Sequence, residues 1–468
     1  MKLNKSQKFN KSQWIKFSIA AIIYTLFTVW TGNYWLLFGL PVIIDIYLTK
    51  LIPWGAWKKS ENQTLKKVTE WVDAILFALV AVYIINLFIF QNYQIPSSSL
   101  EKTLLVGDFL FVSKVSYGPR VPNTPLSFPL AQHTLPVLNC KSYIDWPQWD
   151  YKRLKGTGNI RRNDIVVFNF PAGDTVALKI QNTDYYSLCK RNGWNVVNSD
   201  KAEFGDIVFR PVDRRENYVK RCIGMPGDTL EIRNNAVFID GKQMEEPEHA
   251  QMNYFVETNG AYISEEQFRI LQVSYEDRAS FSNPGILSHV GIQPATIDGR
   301  FNPVYRIPLT KKALETVKRF TFVKSVHIEP DDIFENYVYP VDYETGWSRD
   351  NYGPLWIPQK GASIALNDKT LGLYARCIVN YEGNTLKVND DKIYLNGTLA
   401  SSYTFKYDYY FMMGDNRHNS ADSRSWGFVP EDHVVGKPIL VWLSLDKDRG
   451  LFDGKIRWNR IFKIVHPE

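Results

Sequence analysis

Three short clusters contain the residue types from which a hydrolytic site could be built. Residues 94–100 hold three consecutive serines, and residues 218–228 hold Lys220 in an apolar stretch that ends in a Pro-Gly turn. Residues 413–424 are rich in Asn, Asp, Ser and Arg, which is typical of a polar loop closed by side-chain hydrogen bonds. Each cluster alone is typical of an ordinary turn or edge strand, so the functional interpretation depends on all three together.

Together the clusters could supply a nucleophile and its base. A serine hydroxyl is a poor nucleophile until a base removes its proton, and none of the seven histidines lies in the first two clusters. Lysine can be the base only when it is neutral, which burial favours by lowering the pKa of the amine. Loop hydroxyls could orient this amine, and a backbone N–H with a hydroxyl could hold the oxyanion. The pattern predicts a serine–lysine hydrolase on a β scaffold, without a metal or other cofactor.

The segments before residue 91 must place these clusters relative to a membrane. Residues 17–31 and 34–49 are apolar pieces slightly shorter than the ~17–25 residues of a spanning helix, and the second contains Asp45, which is costly if it faces lipid. Residues 71–90 form an apolar segment of full length. Five lysines precede the first piece and five lie between the second and third, so the positive-inside rule puts both regions in the cytoplasm. We expect an uncleaved anchor that delivers the rest of the chain to the outer side, whether or not the first hairpin fully crosses.

Composition favours a membrane over a nucleic acid as the partner. The 468 residues allow two to four domains at roughly 100–200 residues each, and 45% apolar residues exclude disorder of the whole chain. The net charge is +6, but the first 70 residues hold ten lysines and three acidic residues, so the remainder is nearly neutral. A nucleic-acid-binding protein would carry its excess charge on the folded part. We therefore expect a lipid bilayer and no nucleic acid as partner.

Residues beyond 91 have the pattern of an antiparallel β protein. Short alternating runs are separated by Gly, Asn and Asp turns, and no long apolar stripe with a helical period appears. We expect a mainly β fold, an antiparallel sheet or small barrel, preceded by transmembrane helices. The expected parts are a tail, membrane hairpin and basic loop (1–70), a transmembrane helix (71–91), a catalytic β core (92–244), an inserted loop-rich subdomain (245–371) and a continuation of the core (372–468).

An internal similarity relates residues 218–232 to residues 374–388, which share Arg-Cys-Ile and Thr-Leu. It predicts either two similar strand hairpins in one sheet or a true duplication. Ala375 takes the place of Lys220 in the second copy, so we expect that copy to be inert.

The four cysteines all lie in the exported part, where disulfides can form. Cys140 and Cys189 are the candidate pair, and no two cysteines have metal-ligand spacing. Cys222 and Cys377 occupy strand patterns and are expected to be buried.

On these residues the chain resembles bacterial type I signal peptidases, membrane-anchored serine proteases that remove signal peptides from exported proteins. The resemblance is carried, in the family's order, by four stretches and by the membrane segments before them. The stretches are residues 94–114, residues 164–171 or 206–211, residues 218–228, and residues 414–424 with their continuation to Pro430.

The resemblance implies a role for each matching residue. Ser99 would be the nucleophile, and Lys220 would be the general base and later the acid for the leaving amine. The other roles fall to Ser97 as the oxyanion-hole hydroxyl beside the Ser99 N–H, Ser420 as the group that holds the lysine amine, and Asp422 with Arg424 as a supporting pair. His418 occupies a variable position and is not expected to be catalytic.

The resemblance also implies a preference for small residues at the first and third positions before the cut. An edge strand near residues 95–97 could pair with an extended peptide over a shallow pocket. The residues expected to line this pocket are Tyr93, Ile95, Leu104, Tyr218 and Val219, with core packing as the alternative. Trp458, Ile461 and Phe462 are expected either to form an apolar rim facing the membrane or to pack in the core.

Three positions depart from the family pattern. Leu100 replaces a Met of similar volume. Lys102 replaces a common Pro, which removes a constraint on φ and could place the amine at lipid head groups. Ser98 replaces a frequent Gly, so Ser98 is the alternative nucleophile.

The preferred interpretation is a multi-pass protein of the bacterial inner (cytoplasmic) membrane with its catalytic domain on the periplasmic side. Its partners would be signal peptides of exported preproteins, the bilayer and components of the secretion machinery. Two alternatives are a non-catalytic membrane-anchored scaffold that binds exported chains and a serine–lysine self-cleaving protease of the repressor type. The intact residues Ser99, Lys220 and Ser420 disfavour the scaffold, and the membrane segments disfavour the repressor type.

Overall fold

The computed structural model describes residues 11–32, 34–54, 62–278, 280–293, 296–297, 300–333 and 338–466. Two helices in these ranges are long and apolar enough to cross a membrane, the first helix (Lys11–Thr31) and the anchor helix (Gln63–Phe88). The Asn62 side chain caps the anchor helix by accepting hydrogen bonds from the Thr64 and Leu65 amides. The apolar segment expected at residues 71–90 is a helix as far as Phe88, and Phe90 already begins a strand. The first helix is longer than its apolar piece because it extends back to Lys11.

The two long helices meet at their C-terminal ends. The Phe88 ring lies 5.5 Å from the Phe27 ring and 6.2 Å from the Trp30 ring, measured between centroids. A short helical return follows, made of Tyr34–Gly39, Leu40–Ile44 and Asp45–Thr49. The Asp45 carboxylate is buried there and accepts hydrogen bonds from Thr49, from the Leu51 and Ile52 amides and from Trp54. These bonds offset the cost of placing a charge in apolar surroundings.

An antiparallel sheet of eight strands forms the core of the part that follows the anchor helix. The edge strand (Phe90–Gln94) directly follows the anchor helix, and the lysine strand (Asn217–Gly224) lies four places along the sheet. The full order is Phe90–Gln94, Asp108–Ser113, Val434–Ser444, Ile165–Asn169, Asn217–Gly224, Tyr409–Met413 and Val429–Pro430, with Lys463–Ile464 beside Val434–Ser444. The expected mainly β architecture behind N-terminal apolar helices is confirmed.

Alternation of side chains places the core of this sheet. In Asp108–Ser113 every second residue is buried, so Leu110 and Val112 point into an apolar cluster that includes Leu100 and Val167. The short helical turn Ser98–Leu100 packs into this cluster through Leu100. The rigid sheet therefore fixes where residues 97–99 lie.

Smaller elements surround the sheet. The remaining strands are Thr175–Ala177, Ile207–Phe209, Thr229–Arg233, Ala236–Ile239, Lys242–Gln243, Thr296–Ile297, Arg300–Phe301, Tyr352–Trp356, Ser363–Ala365, Leu386–Asn389, Lys392–Leu395, Thr398–Leu399 and Ser402–Thr404. The helices outside the insertion are Tyr185–Asn192, Trp194–Ser199, Asp368–Arg376 and Ser423–Trp426.

The insertion at residues 245–371 contains more regular structure than its composition predicts. Gln251–Thr258 lies between Val304–Thr310 and Val323–Ile328 in a separate antiparallel sheet. The helices Glu265–Leu271, Pro284–His289 and Lys311–Val317 belong to this region, and its own apolar core includes Phe268, Leu271, Ile307, Leu309 and Val317.

The second copy of the internal similarity, residues 374–388, does not begin as a strand. The prediction of two similar strand hairpins in one sheet is therefore wrong. Residues 374–376 end the helix Asp368–Arg376, and Cys377–Tyr381 continues as a wider helical turn. The Asn367 side chain caps this helix in a reciprocal pair with Thr370. Leu373, Tyr374, Cys377 and Ile378 then bury one helical face in the core, and this packing outweighs the local strand pattern.

All four cysteines are free, so the expected Cys140–Cys189 disulfide is not formed. Cys140 is exposed whereas Cys189 is buried in a different cluster. Cys222 and Cys377 are buried as expected, although only Cys222 lies on a strand.

Candidate active site

The Lys220 amine contacts the Ser99 hydroxyl. Lys220 Nζ lies 2.8 Å from Ser99 Oγ and 3.2 Å from the Val219 carbonyl oxygen. Both residues are buried, with 6% of Ser99 and 5% of Lys220 exposed. Residues separated by 121 positions in the chain thus form a buried polar contact.

Burial gives this lysine the property that a base requires. It lowers the pKa of Lys220 to about 8, because an ammonium group loses its hydration there, and the nearby charges of Asp422 and Asp415 oppose this shift only in part. The Tyr218 ring lies 5.5 Å from the amine and itself stacks on Phe170 at 4.4 Å. A substantial fraction of the amine is therefore neutral near physiological pH.

A short helical turn (Ser98–Leu100) presents Ser99, and the third cluster holds this turn from the other side. The Asn416 amide donates to the Ser99 carbonyl oxygen at 3.0 Å, and its side chain donates to the Ser98 carbonyl oxygen at 3.3 Å. Gly414 lies against the same turn, where a Cβ would come within 2.6 Å of the Ser99 carbonyl oxygen. Only glycine permits this close approach.

The expected pair of Asp422 and Arg424 is present and fully buried. Arg424 donates two hydrogen bonds to the Asp422 carboxylate, at 2.9 and 2.8 Å, and the Gly414 amide donates a third at 3.0 Å. Although burial alone raises it, the charge and hydrogen bonds of Arg424 hold the pKa of Asp422 below its usual value. The pair fixes the loop through the Gly414 amide. It also keeps the ionised Asp422 carboxylate near the Lys220 amine.

A second buried ion pair, which sequence reasoning missed, connects the lysine strand to the third cluster. Arg221 donates to both carboxylate oxygens of Asp415 at 2.8 Å, and Thr103 donates to the same carboxylate at 2.7 Å. The signal available in the sequence was the position of Arg221 directly after Lys220 and of Asp415 directly after Gly414.

Removal of the Asp415 carboxylate should strongly destabilise the domain. We expect Asp415→Ala to lower the free energy of unfolding by about 3–5 kcal/mol, because it leaves the Arg221 charge buried without its partner. Urea unfolding of the solubilised protein, followed by tryptophan fluorescence, measures this loss. Wild-type stability in Asp415→Ala would show that the ion pair is not needed to hold the loop.

The two other hydroxyls differ in burial, and only Ser420 lacks the contact expected of it. Ser97 is exposed and directly precedes the turn that presents Ser99. Ser420 Oγ is buried but makes no hydrogen bond to any described residue, so it does not hold the Lys220 amine in this conformation. A Cβ at Gly414 would lie 2.3 Å from Ser420 Oγ, so this hydroxyl is next to the loop that contacts Ser99.

The expected pocket residues divide into two groups. Ile95 and Leu104 are core residues, with 3% and 1% exposed, and show almost no surface to a peptide. Tyr93, Tyr218 and Val219 are partly exposed and lie on the edge and lysine strands.

Lys102 does not reach lipid head groups, which corrects the sequence-based expectation. Its amine is buried, and its backbone has a φ of +77°. Proline cannot adopt this left-handed conformation, which explains why a non-proline residue fits here.

His418 also lies apart from Ser99: its ring nitrogens contact the Asn253 amide and the Asn235 side chain.

The structure also separates the two candidate strands for the second of the family's four stretches. Ile165–Asn169 pairs with the lysine strand, whereas Ile207–Phe209 pairs only with Thr175–Ala177 outside the main sheet. Residues 164–171 are therefore the counterpart of the family's strand.

In the part of the chain that the structure describes, no group of three or more His, Cys, Asp or Glu side chains could hold a metal ion.

Comparison with known proteins agrees with this geometry. A family described as "Signal peptidase, peptidase S26" matches residues 68–275 and 400–443, more than half of the chain, including all three clusters. The signal peptidase I of Buchnera aphidicola subsp. Acyrthosiphon pisum is 24% identical over 462 residues, covering 96% of this chain and 99% of that protein. The Haemophilus influenzae protein of the same name is 22% identical over 409 residues (87% of this chain, 79% of the relative), and that of Pseudomonas aeruginosa is 20% identical over 387 (81% and 73%). The chain belongs to the S26 signal peptidase family and is a membrane-bound serine endopeptidase that removes signal peptides from exported preproteins.

Proposed function

We propose that Ser99 is the nucleophile and Lys220 the general base of this peptidase. The observation that carries the assignment is the 2.8 Å contact between the two side chains, both buried. In its neutral form the amine has a lone pair that can accept the Ser99 proton while Oγ attacks the scissile carbonyl carbon. The resulting ammonium group then donates that proton to the leaving amine, and an ester remains on Ser99 until water hydrolyses it.

The oxyanion formed in this attack would be held by the Ser99 backbone N–H and the Ser97 hydroxyl. Ser97 has an extended backbone and an exposed side chain directly before the turn that presents Ser99. Donors fixed by a turn do not have to reorganise when charge develops, which is the basis of this form of stabilisation. For Ser420 we propose an orienting role toward Lys220 that requires a different side-chain rotamer, because its Oγ makes no hydrogen bond to a described residue.

Two unpaired strand edges could bind the substrate in an extended conformation. The edge strand pairs only with Asp108–Ser113 among the described strands. In the lysine strand, residues 217–219 pair on one side only, because Tyr409–Met413 begins its pairing at Arg221. A peptide added between these edges would gain main-chain hydrogen bonds, with a shallow site for small side chains beside Ser99.

We further propose that the protein is multi-pass, with its catalytic domain on the periplasmic side of the bacterial inner membrane. The C-terminal ends of both long helices lie against the exported part, where Lys152 donates to the Thr31 carbonyl oxygen and Trp30 donates to that of Lys155. Trp458 and Phe462 are 73% and 71% exposed, as expected of side chains at a lipid interface. A contact with the secretion machinery is proposed only from the family's role in export.

The direct test is cleavage of a purified precursor by the solubilised enzyme, followed by sequencing of the new N-terminus. The proposal requires a single cut after a small residue that ends the signal peptide. Cuts distributed over the mature part, or after large residues, would contradict it.

Activity should rise with pH around the pKa of Lys220. Because only the neutral amine accepts the serine proton, kcat/KM for a soluble peptide should increase from about pH 6 and level off above a midpoint near pH 8. A stopped assay over this range measures the profile. A rate that rises toward acid would show that Lys220 is not the base.

A further inference from the structure

A cavity of about 640 Å³ separates the anchor helix from the exported part. On one side it is bounded by the anchor helix and the edge strand, and on the other by an arm, residues 120–153. The arm folds back on itself through backbone bonds such as Phe128 N–H to the Ser142 carbonyl oxygen at 2.7 Å. Its Ser127 hydroxyl lies 3.2 Å from the Tyr83 hydroxyl of the anchor helix, so the arm reaches the level of the membrane-spanning segment.

One wall of the cavity is formed by the two strands that border the proposed substrate cleft. Residues 91–94 of the edge strand and Asn217 of the lysine strand line it, and these are the two strands whose edges are unpaired. Tyr93, an expected pocket residue, is part of the same lining. A peptide that leaves the cleft along these strands enters the cavity.

Polarity changes along the cavity. Between the anchor helix and the arm, Val82, Leu87, Phe128 and Leu130 give the cavity apolar surface, interrupted by the polar side chains of Tyr83, Asn86 and Ser127. The end formed by the strands presents amide side chains, among them Gln91, Asn92, Asn169 and Asn217. A signal peptide has the same order, an apolar run followed by the small residues of the cleavage site.

Most charged side chains of the lining are already bonded within the protein. Arg214 donates to the Thr124 hydroxyl at 2.6 Å, and Asp213 accepts from the Thr124 amide and hydroxyl at 2.9 Å. Arg120 donates to Asn169 at 2.8 Å. The Lys114 amine makes no hydrogen bond to a described residue and could donate to a peptide carbonyl.

We propose that this cavity binds the signal peptide upstream of the third residue before the cut, with its apolar run between the anchor helix and the arm. This inference rests on the proposed function and adds a second binding region to it. The arm and the anchor helix would then guide the apolar run from the bilayer to the cleft.

The test compares two substrates on arm variants of the full-length solubilised enzyme. One substrate is a precursor with its complete signal peptide, and the other is a short peptide that begins three residues before the cut. For Phe128→Asp, which lies in the lining, we expect the ratio of kcat/KM for the precursor to that for the short peptide to fall about tenfold, because a charge faces the apolar run. Leu138→Asp is the matched control: Leu138 lies on the same arm, is 70% exposed against 59% for Phe128, and is not part of the lining.

An equal fall in both variants would show that the arm acts only as a lipid or detergent contact, and an unchanged ratio in Phe128→Asp would also overturn the proposal.

A photoactivatable residue at position 130 in an inactive Ser99→Ala enzyme gives a second readout. Its cross-links should map to the signal peptide upstream of the cleavage site, and cross-links confined to the mature part would contradict the inference. Accurate cutting by the wild-type enzyme in the same experiment separates failure of this inference from failure of the proposed function.

Discussion

Ser99→Ala is expected to reduce precursor cleavage by more than about 10³-fold, because it removes the atom that forms the covalent intermediate. The fold should be retained, since among the described residues the Ser99 side chain makes a single hydrogen bond, from Lys220, and its carbonyl bond from Asn416 is unaffected. Rates should be measured at saturating precursor, so that the loss is assigned to the chemical step rather than to binding.

Ser98→Ala is the matched control, because Ser98 is the alternative nucleophile in the same turn. Ser98 is half-buried, and its described contacts to the site are through its backbone carbonyl. We expect this variant to retain activity within a few-fold of wild type. Near-normal turnover by Ser99→Ala combined with an inactive Ser98→Ala would move the nucleophile to Ser98.

Lys220→Met should be as damaging as loss of the nucleophile. Methionine keeps the length and apolar contacts of the buried side chain but cannot accept the serine proton, so we expect a loss of about 10³-fold or more in kcat. The remaining rate should no longer rise with pH near 8, because the group that titrates there in the wild type is absent.

Lys102→Met provides the matched control for this variant. Burial lowers the pKa of Lys102 to about 8 as well, but its amine makes no hydrogen bond to Ser99. Lys102 therefore has a pKa similar to that of Lys220 but no contact with the nucleophile. Its substitution should change kcat by less than about threefold. If instead Lys102→Met were inactive and Lys220→Met active, the base would be Lys102.

Much of the functional assignment could be predicted from local features of the sequence. The anchor helix follows from an apolar run long enough to span a bilayer, which depends only on consecutive residues. Ser99 and Lys220 could be singled out only from the three clusters taken together and from the resemblance to the family's motifs, because each cluster alone is typical of an ordinary turn or edge strand. The mainly β core follows from the alternation of short runs, as in Asp108–Ser113.

Other features depend on contacts between residues that are distant in the chain. The Arg-Cys-Ile of residues 376–378 looks like that of the lysine strand, yet it is helical because Asn367 caps it and the core accepts one face of the helix. The sequence allowed Lys102 to reach lipid head groups, whereas in the folded chain its amine is buried.

The sequence by itself determined which side chains are available for catalysis. It also determined that these side chains follow a membrane anchor in the chain. Tertiary structure alone decided that the Lys220 amine meets the Ser99 hydroxyl and that the Arg221–Asp415 pair joins their elements. The physical reason is that the pKa of a lysine depends on how much water and charge surround its amine, and the sheet sets these through residues far away in the chain.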